Sequence, residues 1–334
     1  AANIFAIQSE VAASIAGALK TALTPAEQAR AKAVPTRNLQ AWEAYQLGQQ
    51  RMAKRTSADL ADAQRFFREA IDLDPQFALA HVGLADALTL QISYSGAPLA
   101  ATLTRAEKSV AEALRLQPDL SEAWASAGGI AEDLRAFDDA EKKYRRAIEI
   151  NPNNAAARHW YSSLLRTIGR LDESLEQIER AVALDPMSPV LRVVQGIVLA
   201  AQGRFLDAEK AYLKAMTIDP LLPGSYSLLS DLSAYALGRP ADAVPLARKA
   251  MALDPGGPNG VVTLAVLLDD LGESPEAMQL TMDAVRRWPD SAMAQWPAAF
   301  LQASAGDWHA ASQSARKALA IDPRDGNALY LLAV

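Results

Sequence analysis

The sequence contains no cysteine, which excludes disulfides, thiolate zinc sites and cysteine nucleophiles. Histidine is nearly as scarce: the three residues His81, His159 and His309 lie far apart, too thin a supply for an imidazole metal centre. Aromatics make up only 6% of a chain that is half hydrophobic, so many small helix-helix contacts suit it better than one large core. Long apolar runs are missing as well. No stretch reaches the ~18–20 uninterrupted apolar residues of a membrane span, and the opening AANIFAIQSEVAAS has no basic start and carries Glu10, unlike a secretory leader. The formal charge of -6 is spread without long basic runs, which argues against nucleic-acid binding, because that surface needs clustered Lys and Arg to displace counterions. The lack of cysteine fits a reducing cytoplasm, the favoured compartment, and is equally legal in a periplasm behind an upstream anchor. No phosphate loop, no Gly-x-Ser-x-Gly and no His-Glu-x-x-His occurs, so neither an enzyme nor a bound cofactor or metal is expected.

What the sequence does have is a repeat. Its 334 residues exceed the ~250–300 at which a single core stops growing, so an architecture that grows by addition is favoured. Eight prolines follow the ends of apolar stripes: Pro75, Pro118, Pro152, Pro186, Pro220, Pro255, Pro289 and Pro323, separated by 43, 34, 34, 34, 35, 34 and 34 residues. Five residues before each stands alanine without exception, from Ala70 to Ala318, and twelve before each stands another small residue, such as Ala63, Ala140 or Ser174. Proline lacks the N–H that would continue a helix and forces the preceding residue out of the helical region, so each marks a stop.

The stretch from Ser121 to Pro152 shows the physics. Trp124, Ala127, Gly128 and Ala131 share one face of a first helix, and Ala140, Tyr144, Ala147 and Ile148 form the answering face of a second. Helix axes approach to ~8–10 Å only where the crossing residues are short. Large side chains then fill the space between crossings.

This pattern resembles the tetratricopeptide repeat, a helix-turn-helix unit of 34 residues. The resemblance implies an all-α fold, a right-handed α-solenoid of about eight units: 41–77, 78–120, 121–154, 155–188, 189–222, 223–257, 258–291 and 292–325. The first unit carries about three extra residues, expected between its helices, and the second a longer insertion around Gln91–Pro98, expected at a turn. The aromatic of the second helix gives way to Val110, Ile178, Ala247, Thr281 and Ala315, which predicts looser packing in those units. Pro297 falls inside a first helix and should kink or delay it. Residues 326–334 read as a capping or truncated helix with no polar outer face, an end suited to a second copy or to continuation of the chain.

Residues 1–40 form a separate segment. Ile7, Val11, Ile15 and Leu19 make a narrow helical stripe, and Thr24-Pro25-Ala26-Glu27 has the makings of a second helix start. The pair serves either as a cap on the first repeat or as a connector. Phe5–Ala12 with Tyr45–Thr56, and also Arg158–Tyr161, resemble the region leading into the repeats of certain bacterial signalling proteins, whose upstream effector is a class III adenylate cyclase or a winged-helix DNA-binding domain. That resemblance implies a regulatory arm whose output domain is absent from this chain.

By analogy with the repeat family, positions 2, 5, 6, 9, 12 and 13 of each unit face a concave groove. The candidates in the middle of the array are Glu132, Asp133, His159, Trp160, Ser163, Arg166, Val190, Val193, Val194 and Ile197. Repeats that clamp a terminal carboxylate use Lys and Asn at positions 5 and 9, which these units lack, so that mode is rejected. The expected partner is a protein or peptide segment, apolar or amphipathic, with Trp160 and the valines as anchors and Arg166 as an orienting charge. Alternative structural roles read Trp160 as packing between units, His159 as an ordinary exposed ring, Trp308 as packing and His309 as solvated. Glu132-Asp133 and Asp269-Asp270 read as solvated ridges, because neighbours on a helix diverge by about 100°.

Overall fold

A computed structural model describes residues 34–323 and 325–333, together with Ser14. The two helices expected within residues 3–34 therefore lie outside the described residues. Seventeen α-helices and no strand are found among those described. They are α1 (Leu39–Ala53), α2 (Ser57–Leu73), α3 (Ala78–Ser95), α4 (Leu99–Leu116), α5 (Ser121–Asp133), α6 (Phe137–Ile150), α7 (Ala155–Thr167), α8 (Leu171–Leu184) and α9 (Pro189–Ala201). The series continues with α10 (Phe205–Ile218), α11 (Pro223–Asp231), α12 (Pro240–Leu253), α13 (Asn259–Asp270), α14 (Ser274–Arg287), α15 (Ala292–Ser304), α16 (Trp308–Ile321) and α17 (Gly326–Ala333). Consecutive helices pack as antiparallel pairs, and first helices of neighbouring pairs also touch, the pattern of an α-solenoid.

All eight proline stops end a helix in the same way. The residue before each proline leaves the helical region while its N–H bonds back to the alanine four residues earlier, as in Asn151 N to Ala147 O (2.9 Å) and Asp219 N to Ala215 O (2.9 Å). That alanine is buried in every case. The core is accordingly a chain of small clusters, one at each joint.

The crossings use two solutions. In some, glycine on the first helix receives an aromatic ring from the second: Gly48 meets Phe67, Gly128 meets Tyr144 and Gly196 meets Tyr212, so closely that a Cβ would collide with the ring. Where the ring is absent, the facing position is larger. Ser162 and Ser174 exchange hydroxyl-to-carbonyl bonds across one crossing (2.8 and 2.7 Å) beside the buried Ile178, and Ser230 Oγ donates to Ala243 O (2.9 Å) beside Ala247. Val110, Ile178, Ala247, Thr281 and Ala315 are all buried, so the expected loosening does not appear as exposure.

Several local expectations need correction. The turn between α1 and α2, and the turn between α3 and α4, each span three residues, like the turn from Leu134 to Ala136 in the regular unit. The extra residues lengthen the helices instead: α3 and α4 have 18 residues each, against 13 and 14 in α5 and α6. Adding helical turns keeps every backbone group paired, which a long loop would not. The 35-residue unit absorbs its extra residue as a π segment, Leu232–Ala236, at the end of α11. Helix α15 starts at Ala292 and runs through the buried Pro297, its packing against α14 and α16 outweighing one lost ladder bond, so the start is not delayed. Trp308 is 60% exposed rather than packed, because it opens α16 on the side facing solvent.

Candidate functional site

The solenoid curls until its beginning meets its later units. The Ser57 N–H and hydroxyl donate to the Asp254 carboxylate (3.2 and 3.4 Å), the Ser57 hydroxyl also lies 3.1 Å from Tyr94 O, and Asn259 Nδ2 donates to Ser93 O (3.3 Å). These bonds join residues up to 197 positions apart. A Cβ on Gly257 would run into Asp254, Ser57 and Tyr94, so only glycine fits at the joint. Gly96, left-handed at φ 67°, abuts Ser291 in the same region. Ser93 and Tyr94 lie on the extra turn of α3, so the insertion in the second unit builds the closure.

Closure converts the concave face into a cavity of about 590 Å³. His159, Trp160, Ser163, Arg166, Val190, Val193, Val194 and Ile197 line it together. Glu132 and Asp133 do not; they line a smaller cavity of about 120 Å³, to which Trp160 and Ser163 also contribute. The opposite wall comes from later units: Ser227, Leu228 and Asp231 on α11, Asn259, Val262 and Thr263 on α13, and Met293 and Trp296 on α15. These occupy positions 2, 5, 6 and 9 of their own units, so extending the positional map to units six, seven and eight would have found them. Arg55 and Tyr94 belong to no such position, and no periodic signal marks them.

Two candidates differ from their simpler readings. His159 is only 6% exposed and stacks on Trp160 (centroids 4.3 Å apart), and burial lowers its pKa to about 3, so the ring is neutral. Glu132 is half-buried rather than a solvated ridge; burial raises its pKa to about 7, and the Tyr144 hydroxyl donates to it at 3.0 Å. Asp86, on the wall of the smaller cavity, is raised to about 7 by burial although Ser126 Oγ donates to it at 2.5 Å. On the main wall, burial raises Asp231 to about 6.

Arg55 is the unusual cation. It sits in the α1–α2 turn at φ 57°, where the corresponding turns use Gly169, Gly203, Gly238, Gly272 and Gly306, with Arg135 the other exception. Its guanidinium lies 5.8 Å from the Tyr94 ring centre and 5.9 Å from that of Trp160. Nε is shut away from solvent and has no hydrogen-bond partner. Burial lowers its pKa, opposed by the nearby Tyr94 and Asp86.

Comparison with known proteins agrees with the repeat fold. Models of the tetratricopeptide repeat match residues 131–195 and 234–295, and another repeat model of the same description matches 100–155. Tetratricopeptide repeats are recognised within residues 100–195 and 234–295. The tetratricopeptide array is similar in fold to the Cut9 and Hcn1 hetero-tetramer of the APC/C (TM-score 0.64, 13% identity, 90% of this chain and 55% of that one). It is also similar to yeast Tom70 (TM-score 0.57, 16% identity, 89% of this chain and 64% of that one). The chain thus spans less than two thirds of either neighbour's length. No curated protein matches the sequence significantly. The likeness of residues 4–56 to the approach segment of cyclases or winged-helix regulators finds no support in these comparisons. Among the described residues no helix is long and apolar enough to cross a membrane, and no group of three or more His, Cys, Asp or Glu could hold a metal ion.

Proposed function

We propose that the array is a protein-interaction scaffold whose concave cavity receives an apolar or amphipathic segment of a partner. Proteins of the tetratricopeptide fold are generally non-enzymatic scaffolds. The observation that carries the site is the convergence of Trp160, Val193, Val194 and Ile197 with Leu228 and Val262 around one cavity, an apolar surface with a few polar groups of the kind that binding sites use. Arg166, exposed at the same wall, gives an incoming segment an orienting charge.

The test is capture of a stoichiometric partner from the native host by the intact chain, compared with Trp160→Ala combined with Val194→Glu. Loss of the partner with helicity preserved supports the cavity as the contact surface. Equal capture by both forms rejects it.

A further inference from the structure

We infer that the concave cavity also binds a small apolar monocarboxylate, with its carboxylate on Arg55 and its chain along the wall formed by Val193, Val194 and Ile197. This goes beyond the partner-binding reading, since it needs no protein ligand. Three observations point to it. The closure through Ser57, Asp254 and Asn259 bounds a space of about 590 Å³, within the ~300–1,000 Å³ typical of small-molecule sites. The wall is mostly apolar, the surface that an alkyl chain leaves water to reach.

Arg55 supplies the third. A guanidinium within 6 Å of the Tyr94 and Trp160 ring centres, with a buried Nε that donates to no protein acceptor, has a donor to offer an incoming anion. Its backbone adopts a left-handed conformation that glycine fills in five other turns, and a side chain there costs local strain. The turn has no need of arginine for its own geometry; the cavity is where the side chain points. A planar fork of donors suits a carboxylate. A single negative charge suits the lining, which sets Arg55 and Arg166 against Asp231 and Asp254, with Asp86 acting on Arg55 from the neighbouring cavity.

Titration calorimetry on the whole chain with decanoate, decanol and decylammonium, each below its aggregation concentration, tests this. Decanoate binds once per chain and at least tenfold more tightly than decanol or decylammonium. Arg55→Gly weakens decanoate at least tenfold while thermal stability holds or rises, because glycine relieves the left-handed strain. Arg135→Gly, the same exchange in another turn, leaves decanoate binding unchanged. Absence of binding, equal binding of decanol, preference for decylammonium, or full decanoate affinity in Arg55→Gly each overturns the inference. Partner capture is read separately, so loss of one activity with the other intact shows which reading has failed.

Discussion

The second unit and the third are built from the same hairpin and do different work. In the third, α5 and α6 cross at Gly128 and Tyr144, and all that matters to their packing lies within one unit and its neighbours. In the second, α3 and α4 are each extended, and the extension reaches Asn259 and the Ser57–Asp254 joint on the far side of the curl. A solenoid of regular units makes only nearest-neighbour contacts. One lengthened unit brings this array back into contact with itself across its concave face. The difference teaches that stability resides in the regular crossings, and that enclosure of the cavity resides in an irregularity.

Tyr144→Ala should break the regular side of that comparison most severely. It removes a fully buried ring from the glycine notch, and loss of ~3–5 kcal/mol is expected for such a truncation, measured by denaturant unfolding. The joint should behave otherwise. Ser57→Ala with Asp254→Ala should cost only about 1–3 kcal/mol, since few hydrogen bonds are lost, yet small-angle scattering should show a larger radius of gyration at unchanged helicity. An unaltered radius would mean that the curl does not depend on those bonds.

The buried acids sharpen the contrast through pH. Asp86 titrates at about 7 in the fold because burial disfavours its charge, with Ser126 and Arg55 opposing and Glu122 reinforcing the shift. From the ordinary carboxyl range near ~4 up to about 7 the folded chain keeps a proton that the unfolded chain has lost. Stability therefore falls as pH rises through that window and levels above it. Asp86→Asn should flatten the slope by on the order of 1 kcal/mol per pH unit within the window, leaving the share due to Glu132, which is also raised to about 7. Thermal melts as a function of pH read this directly. His159 has the opposite sign: its depressed pKa gives stability that is present above ~6.5 and lost as pH falls toward about 3. The smallest effect is expected at the surface, where Arg286→Ala, breaking the exposed pair with Asp283 (2.6 Å), should change stability by less than ~0.5 kcal/mol.

Much of the groove was readable because it follows from position within a unit. A residue five or six places into a first helix faces inward whatever its neighbours are, so Trp160 and Val194 could be placed without coordinates, and Leu228 and Val262 obey the same rule in later units. The burial of His159 could not be read that way, since it depends on Trp160 lying across it. Nor could the lengthening of α3, because an insertion between two apolar stripes reads equally as loop or helix. Pro297 misled for a related reason: a local helix breaker tells nothing of how firmly adjacent helices hold the element.

By itself the sequence determined where the second helix of each unit stops, which faces are apolar and how closely paired helices approach, because proline, alanine and glycine act over a few residues of backbone. Only the tertiary structure decided that the array curls back onto itself, that Arg55 and Tyr94 join the groove, and that the concave face forms a partly open cavity. Those outcomes depend on the sum of small rotations over five successive joints. No local pattern encodes a sum, and the Ser57–Asp254 contact exists only once every rotation has been added.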